Sequence, residues 1–526
     1  MSQQPTVYLE TLGCQMNALD SELVFGSLMQ RGFRPTEDFA NASLVVINTC
    51  SVRQHAEDKV YSRLGQLKGS RVKNPDRIVA VIGCMAERDG DGLLNKAPIV
   101  DILCGPGDLH RLPALIDDVR ENNGRAIALS GKLRERTTET RSAAPHDDLE
   151  ALDSGRAFAS AVHAHMPRAI GRHQAYVRIT RGCNKHCTFC VVPYTRGPEQ
   201  HRPPDQIVDE VRRLADAGVM EVTLLGQTVN HYHYRDGGGE TSFARLLQRV
   251  HDEVPQLPRL RFVTSYPRDF TDEALEVMAA SPRICRYLHI PAQSGSNSQL
   301  KKMNRGYTVE SYLALLERAR TLMPDIAIAG DMIVGFCGET DADFQASCDL
   351  LRAARYKNCF IFKYSTRPGT PADERFADDV PDEVKRRRNN ELLAVQAEVN
   401  MANHRDMIGR TVEVLVEGPS KSAIKAQESE QDRGSEIDHG RDELLRTNKD
   451  KPSLRNQLVG RTIGDQIVVF EGGSSMIGSI LPVEVTAITP YTLHGRLTDG
   501  ISPCHNHAKS NSESPALNFA LPVLSR

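Results

Sequence analysis

Three cysteines lie within the stretch Arg181–Cys190, RGCNKHCTFC, and no fourth cysteine follows them closely. Cys183, Cys187 and Cys190 have the spacing C-x3-C-x2-C and come just after a predicted strand. A structural zinc site normally has four protein ligands, whereas three thiolates suit a 4Fe–4S cluster with one iron left open for a substrate or cofactor. A zinc site completed by His186 is the alternative, and the spacing and the preceding strand favour the iron–sulfur cluster.

Short apolar runs alternate with segments of helical periodicity, which predicts an α/β protein with parallel strands. The N-terminal series has candidate strands at Thr6–Leu12, Ser43–Thr49, Arg77–Gly83 and Ile99–Leu103. The central series has them at Ala175–Thr180, Met220–Gly226, Leu260–Ser265, Arg286–Pro291, Ile326–Phe336 and Cys359–Ser365. The first series predicts a doubly wound parallel α/β domain over residues 1–125. The second has too few βα units for a closed eight-unit barrel and predicts a partial (β/α)6 barrel over residues 173–405.

Three other segments have a different composition. Residues 126–172 are polar and predict a linker with a short strand in it. Residues 406–499 alternate apolar and polar residues between Gly and Pro, which predicts a small OB-like antiparallel β-barrel. Within that barrel, residues 421–453 form a charged run that predicts a disordered insertion, and residues 500–526 predict an unstructured tail.

The composition limits the cellular setting. The chain has 526 residues, enough for two to four domains, and its net charge of −3 does not indicate a nucleic-acid partner. The N-terminus lacks the basic and apolar blocks of a signal peptide, and no apolar run approaches the length of a membrane span. We therefore expect a cytoplasmic protein without membrane association. In that reducing compartment, metal binding or catalysis explains clustered cysteines better than disulfides do.

A second set of cysteines follows the N-terminal strands. Cys14, Cys50 and Cys84 each end or directly follow a predicted strand, in TLGC, INTC and IGC. Because consecutive parallel strands end at one edge of a doubly wound sheet, we expect these thiols to converge. Cys104 also follows an apolar run and is the alternative fourth ligand. The remaining cysteines lack metal-like spacing and are expected to be small buried hydrophobes: Cys285, Cys337, Cys348, Cys359 and Cys504.

Polar residues and glycines follow the central strands where a cofactor would lie. These candidate cofactor contacts are Gly226, Gln227, Asn230, Gln293, Ser294 and Gly335. The alternative is that the glycines serve only in turns and that Gln293 is a loop hydrogen-bonder. Three arginines flank the cysteine loop and are expected either to meet substrate phosphates or to be solvated: Arg181, Arg196 and Arg202.

The stretch RGCNKHCTFCVVPYTRGPEQHRPP resembles the cluster loop of the radical S-adenosylmethionine (SAM) superfamily. More narrowly, it is similar to that of tRNA methylthiotransferases, which modify adenosine beside the anticodon. The resemblance implies that Cys183, Cys187 and Cys190 hold a 4Fe–4S cluster, with SAM on the open iron. It also implies that backbone atoms at Phe189 meet the SAM adenine and that the strand of Gly335 packs nearby.

The same resemblance implies a second 4Fe–4S cluster in the N-terminal domain. Its ligands would be Cys14, Cys50 and Cys84, its open iron would carry the sulfur to be inserted, and Cys104 would be structural. The sequence departs from the family's usual pattern at Gly330, where Thr is common, and at Cys337, where Pro is common.

The resemblance extends from Thr6 to Leu497, apart from the insertion. The terminal barrel is similar to the TRAM domain, an RNA-binding module, with Arg461 and Phe470 as expected RNA contacts. RGCNKHCTFCVVPYTRGPE, LLGQTVN and MNRGYT match the branch that acts on N6-isopentenyladenosine. The sister branch acts on threonylcarbamoyladenosine, and a third modifies an aspartate of a ribosomal protein.

The implied function is methylthiolation of adenine C2 beside the tRNA anticodon, through a SAM-derived radical. The implied partners of this enzyme are the tRNA anticodon stem-loop, an electron donor and a sulfur donor, and the expected oligomeric state is a monomer. A non-catalytic iron–sulfur RNA-binding protein is the alternative. It would explain the thiols and the terminal barrel, but not six βα units with polar strand ends.

Overall fold

The computed structural model describes residues 4–51, 54–69, 74–130, 150–153, 173–237, 239–426 and 456–498. Most of the predicted linker, most of the predicted insertion, the tail and Cys504 lie outside these ranges. The α/β class and the order of a parallel-sheet domain, a partial barrel and a small β-barrel are confirmed. Among the described helices, none is both long and apolar enough to cross a membrane.

The N-terminal domain is a six-stranded parallel sheet with helices on both faces. Its strand order is β2-β1-β3-β4-β5-β6. The strands are β1 Thr6–Leu12, β2 Arg34–Pro35, β3 Leu44–Thr49, β4 Ile78–Gly83, β5 Ile102–Cys104 and β6 Ala126–Ala128. The helices are α1 Gln15–Gln30, α2 Gln54–Leu67, α3 Cys84–Asp89, α4 Asp91–Lys96 and α5 Leu112–Asn122.

Helices cover both faces of this sheet because β3 and β4 are apolar and buried along their whole length. On β3, Val46 packs with α1 and α5 in one hydrophobic cluster, and Val45 packs with α2 in another. The sheet extends slightly beyond the predicted boundary at residue 125, because β6 pairs in parallel with β5. Its three residues are too few for an alternating pattern to be recognised in the sequence.

The central domain is an open barrel of six parallel strands. These are β7 Gln174–Arg178, β10 Glu221–Leu225, β13 Arg259–Phe262, β14 Tyr287–His289, β15 Ala327–Val334 and β16 Asn358–Lys363. They form two three-stranded sheets, β13-β10-β7 and β14-β15-β16, linked by an isolated parallel bridge between Leu260 and Ile284. Two short hairpins complete it: β8 Thr180–Arg181 with β9 Gln200–His201, and β11 His233–Asp236 with β12 Gly239–Ser242.

Helices on the outer face of the barrel pack in its main hydrophobic core. They are α7 Pro204–Asp216, α8 Phe243–Glu253, α9 Asp272–Ala280, α11 Val309–Leu322, α12 Asp341–Ala354 and α14 Asp382–Arg405. The shorter helices of this domain are α6 Val192–Thr195, α10 Asn297–Lys302 and α13 Pro371–Arg375. The inner face has a different partner, because Leu19 and Leu23 of α1 pack with Tyr176 and Tyr287 of the barrel. A helix of the N-terminal domain therefore packs against the interior of the barrel.

The C-terminal domain is a closed five-stranded barrel, β17-β18-β19-β21-β20. Its strands are β17 Thr411–Pro419, β18 Gln457–Thr462, β19 Ile467–Glu471, β20 Ile480–Ile488 and β21 Leu493–Leu497. The predicted disordered insertion begins too early, because residues 421–426 are helical. The helix is anchored where the Ser420 hydroxyl accepts the Ala423 backbone N–H at 3.1 Å.

This small barrel is fastened to the N-terminal ends of the central strands. The guanidinium of Arg259 donates to the backbone carbonyls of Arg461 and Glu413, at 2.8 and 3.0 Å. Burial alone would raise the pKa of Asp465, but Lys357, Arg461 and Arg261 together hold that pKa well below its usual range. The Arg461 side chain pairs with Glu417 and Asp465 and stays 36% exposed, so its expected contact with RNA stays a prediction.

Phe470 is not the RNA contact that was expected. Its side chain is 2% exposed and belongs to the hydrophobic core of the terminal barrel. The burial pattern of β19 alternates, with Val468 and Phe470 inward, so the aromatic ring fills the barrel interior.

Replacement of Phe470 by Ala should therefore destabilise the terminal barrel by about 3–5 kcal/mol, because it leaves a cavity. The exposed aromatic Tyr491, which is 44% accessible, is the matched control, and Tyr491→Ala should change stability by less than about 0.5 kcal/mol. Thermal unfolding of both variants measures the difference. An unchanged unfolding temperature for Phe470→Ala would contradict the assignment of its ring to the core.

Candidate metal and cofactor sites

The three-cysteine loop lies between β8 and β9, beyond the carboxyl end of β7. Cys187 is buried, and Cys183 and Cys190 are partly buried. The loop is held from the segment after α10, because Thr188 donates its N–H to the Met303 carbonyl at 3.1 Å. The Arg305 guanidinium donates to the Cys187 sulfur at 3.2 Å, which places a buried positive charge beside the thiols.

The electrostatics of this loop favour a positively charged occupant. Burial raises the pKa of Cys190 and of Cys183, and the negative charge of Cys187 raises both further. A bound metal centre would reverse this effect, because it stabilises the thiolate form. His186, the residue considered for zinc, is solvent-exposed. Within the described ranges, no three His, Cys, Asp or Glu side chains are gathered around a point where a single metal ion could bind.

The ends of the neighbouring strands leave room and polar atoms beside the loop. A Cβ on Gly226 would lie 2.7 Å from the Thr180 methyl carbon, so only glycine permits this close approach. The hydroxyls of Thr180 and Ser265 are buried without a hydrogen-bond partner in the structure. Such orphaned donors fit a polar ligand at this edge. Gln227 is partly exposed there.

Asn230 has a different role from the predicted cofactor contact. Its side-chain amide donates to the Tyr266 carbonyl at 3.0 Å, and its oxygen accepts the Tyr266 N–H at 2.7 Å. Both polar atoms therefore tie the loop after β10 to the loop after β13.

Strained backbone is concentrated at the same edge. Gln293 has φ +74°, and it is held there because its N–H donates to the Asp331 carbonyl at 2.8 Å and its carbonyl accepts the Ile333 N–H at 2.9 Å. Thr264 also has φ +74°. Positive φ at residues other than glycine is costly and tends to cluster at functional sites. The sequence patterns gave no indication of Thr264.

The other candidate cofactor contacts surround this edge. Gly335 has φ +71°, and an added Cβ would lie 2.3 Å from Cγ of Lys385. Ser294 is 1% exposed, and its hydroxyl accepts the Ser296 N–H at 3.2 Å. The Phe189 ring contacts Phe336 edge-on at 6.5 Å between centroids.

The second set of cysteines comes together as the sheet topology predicts. Cys14 caps α1, Cys50 follows β3, and Cys84 begins α3. A hydrogen bond with Cys50 and the positive charge of Arg196 lower the pKa of Cys14 to about 6, although burial opposes the shift. Burial raises the pKa of Cys84, and the positive charge of Arg196 opposes this shift. Three thiols and one arginine thus share a buried region at the sheet edge.

Cys104 lies apart from these three thiols in its electrostatic surroundings. It is completely buried at the end of β5, and its thiol donates to the Gly105 carbonyl at 3.6 Å. Burial raises its pKa well above the usual value, and the charged groups that act on it are Asp108, Arg111 and Glu87. Of the other cysteines, Cys285, Cys337, Cys348 and Cys359 are buried, as small hydrophobes would be.

A buried amide network positions the second set of thiols. The Asn17 side chain accepts the Cys14 N–H at 3.3 Å and donates to Asn48 Oδ1 at 2.9 Å. Asn48 in turn donates to the Asn17 carbonyl at 2.8 Å. Gly83 has φ +97°, and a Cβ there would lie 2.5 Å from Asn48 Oδ1. These supporting asparagines were missed because nothing in their local sequence marks them.

The two sites are joined through Asp20 on α1, which is completely buried. Its carboxylate accepts hydrogen bonds from Arg178 at 2.9 Å and from Arg196 at 2.8 Å. Arg178 belongs to β7, and Arg196 follows the three-cysteine loop. One carboxylate of the N-terminal domain thus holds two guanidinium groups of the barrel, and the positive charge of one of these, Arg196, also acts on Cys84.

The arginines that flank the loop are therefore neither solvated nor presented to phosphates. Arg196 pairs with Asp20, and Arg181 pairs with Asp153. Arg202 is 2% exposed and pairs with Glu150 at 2.6 Å. The expectation was wrong because the acidic partners are remote in sequence and come together only in the fold.

Replacement of Asp20 by Asn should lower the free energy of unfolding by about 3–5 kcal/mol, because it leaves the buried Arg196 guanidinium without its acidic partner and Arg178 with only the more distant Asp153, at 3.4 Å. Asp117→Asn is the matched control, since Asp117 pairs with Arg31 at the surface with about half of each side chain exposed. The control should cost no more than about 1 kcal/mol. If chemical denaturation gave the same loss of unfolding free energy for both variants, the buried Asp20 pairs would contribute no more to stability than the surface pair.

Family models match three parts of the chain. The Uncharacterized protein family UPF0004 matches residues 6–105, the Radical SAM superfamily matches 177–351, and the TRAM domain matches 451–498. Among solved structures, a radical S-adenosylmethionine methyltransferase, TsrM, from Kitasatospora setae aligns with a TM-score of 0.47 and 17% identity. The alignment covers 70% of this chain and 75% of that one.

Curated relatives match almost the whole chain. A tRNA-2-methylthio-N(6)-dimethylallyladenosine synthase of Rhodopirellula baltica is 44% identical over 94% of this chain and 96% of its own length. A protein of the same name from Syntrophotalea carbinolica is 37% identical over 91% of this chain and 96% of its own length. The resemblance predicted from the cysteine motif is confirmed: this chain belongs to the radical SAM family of tRNA-2-methylthio-N(6)-dimethylallyladenosine synthases.

Proposed function

We propose that this protein methylthiolates C2 of N6-isopentenyladenosine beside the anticodon of tRNA, giving 2-methylthio-N6-isopentenyladenosine. The names of its relatives support the substrate, and the TRAM match supports an RNA partner. The observation that carries the proposal is the bridging arginine. Arg196 follows the three-cysteine loop of the barrel, and its positive charge acts on Cys14 and Cys84 of the N-terminal domain, which supports a common reaction region for the two thiol sets.

SAM and a 4Fe–4S cluster are the cofactors of the superfamily. Three ligands, Cys183, Cys187 and Cys190, would hold this cluster, and Arg305 would donate to the Cys187 sulfur. Together SAM and the cluster supply a carbon radical, which is needed because the adenine C–H bond is too weakly acidic for any side chain to deprotonate. The residues around SAM would be Phe189, Gly226, Gln227, Gln293, Ser294 and Gly335.

A second 4Fe–4S cluster would be held by Cys14, Cys50 and Cys84, with Cys104 outside the ligand set. Its open iron would receive the sulfur that is inserted. The convergence of the three thiols, the low pKa of Cys14 and the nearby Arg196 charge support binding of a cluster there. The reaction then requires an electron donor and a sulfur donor as partners. We further propose that the enzyme is a monomer, that it works in the cytoplasm, and that it binds the anticodon stem-loop.

Nucleoside analysis of tRNA from a strain that lacks this gene tests the substrate. We expect 2-methylthio-N6-isopentenyladenosine to disappear and N6-isopentenyladenosine to accumulate, and the wild-type gene should restore the product. Accumulation of threonylcarbamoyladenosine with loss of its methylthio form would instead identify the sister reaction. Unchanged nucleosides would favour a non-catalytic RNA-binding protein.

Iron analysis of anaerobically prepared variants tests the two ligand sets. The wild type should contain about eight irons, and loss of either cysteine set by triple Ala substitution should leave about four. Only the variant at Cys183, Cys187 and Cys190 should lose release of 5′-deoxyadenosine from SAM under reducing conditions. Cys104→Ala is the control and should keep about eight irons. A fall to about four in that control would make Cys104 a ligand.

A further inference from the structure

Three side chains on the inner face of the sheet β14-β15-β16 take no part in the sites described above. Tyr287 and Ala329 belong to the cluster that packs against α1, so they mark the inner face of β14 and β15. Side chains alternate along a strand, and residues in register share a face. His289 and Asp331, each two positions further along, therefore face inward, and Phe360 lies opposite Asp331 in register.

Phe360 is an unusual aromatic residue for this position. Its side chain is 44% exposed, whereas its outward-facing neighbour Cys359 is 4% exposed and packs in the main core. It lies on β16, the last strand of the open barrel, where the sheet order ends. An accessible aromatic ring on a concave wall is typical of a surface that receives an apolar ligand group.

His289 and Asp331 form a polar pair beside this ring. The His289 Nε2 and Asp331 Oδ1 atoms are 3.1 Å apart, and the His289 ring meets Phe360 edge-on at 6.2 Å between centroids. The two polar side chains are 11% and 22% exposed, so they are largely withdrawn from water but still accessible. The hydrogen bond uses one carboxylate oxygen, and a carboxylate has a second acceptor oxygen.

The pair adjoins the strained edge of the barrel. The Asp331 carbonyl accepts the Gln293 N–H at 2.8 Å, and the His289 carbonyl accepts the Ser265 N–H at 3.1 Å. Ile333 lies two residues after Asp331 on the same face of β15. It packs against the same hydrophobic cluster as Phe189 of the three-cysteine loop. A planar ligand on this wall would thus have one edge towards the loop and the other towards Phe360.

We infer that Phe360 packs against the N6 substituent of the target adenine and that the adjacent Asp331 carboxylate accepts its N6–H. This inference rests on the proposed function and assigns the choice of N6 substituent to one side chain. An isopentenyl group gains from contact with an aromatic ring because both are apolar. A threonylcarbamoyl group would bring a charged carboxylate to the same wall and would lose hydration there.

Binding of anticodon stem-loop RNAs to the anaerobic holoenzyme tests this assignment without turnover. Three RNAs differ only at the target base, which is adenosine, N6-isopentenyladenosine or N6-threonylcarbamoyladenosine. The wild type should bind the isopentenyl RNA most tightly. Phe360→Ala should reduce the preference for isopentenyl over unmodified RNA by about tenfold or more, with little change for the unmodified RNA.

Phe360→Glu is a second variant, which replaces the aromatic ring by a flexible charged side chain. It should remove the same preference, whereas Phe360→Leu should retain most of it because the contact stays apolar. Leu322 is 43% exposed on α11, on the outside of the barrel. Leu322→Ala and Leu322→Glu are therefore the matched controls and should leave all three affinities unchanged.

The outcomes separate this inference from the proposed function. If the wild type prefers the isopentenyl RNA and both Phe360→Ala and Phe360→Glu keep that preference, Phe360 does not contact the substituent and the inference is wrong. If either variant weakens all three RNAs equally, the residue affects general RNA binding and the inference is equally overturned. If the wild type itself shows no preference for the isopentenyl RNA, the proposed substrate is wrong, and the inference about Phe360 is wrong with it.

Discussion

The buried carboxylate of Asp20 is the interaction on which the arrangement of both sites depends. An unpaired charge in such a place would be strongly destabilising, and two guanidinium groups from the barrel neutralise it. The docking of α1 against the barrel brings all three groups together. The same helix also makes apolar contacts with Tyr176 and Tyr287, which form the hydrophobic part of this interface. The ion pairs favour one orientation of the helix against the barrel. The relative position of the two thiol sets follows from that docking.

The two thiol sets are positioned by parallel strands in different ways. In the N-terminal domain, three separate strand ends bring together cysteines that are distant in sequence, and the Asn17–Asn48 pair holds the edge in place. In the barrel, one strand end leads into a single loop that carries all three cysteines, and Arg305 approaches it from another segment. Both depend on the rule that parallel strands present their carboxyl ends on one side of a sheet. Arg196 follows the loop of the barrel, pairs with Asp20 and brings a positive charge to Cys14 and Cys84 at the other edge.

Periodicity was sufficient to predict the long strands of both parallel domains to within a few residues. Spacing singled out the three cysteines of the loop, and position at strand ends singled out Cys14, Cys50 and Cys84, while their role as cluster ligands stays a prediction. Neither signal could predict the roles of the flanking arginines, because their partners are far away in the chain: Asp20 and Arg196 are 176 positions apart. The expected RNA contact at Phe470 was wrong because its side chain takes an inward position in the alternation of β19. The short strands β6, β8 and β9 have too few residues for any period to appear.

The attachment of the terminal barrel has a consequence for how a large substrate could be handled. Arg259 reaches across to two backbone carbonyls, and Asp465 is surrounded by three cations from both sides of the junction. These contacts oppose rotation of the terminal barrel relative to the central one and so favour a fixed distance from the terminal barrel to the three-cysteine loop. An RNA gripped at one end would have to supply the adjustment itself, by splaying its loop nucleotides towards the opening.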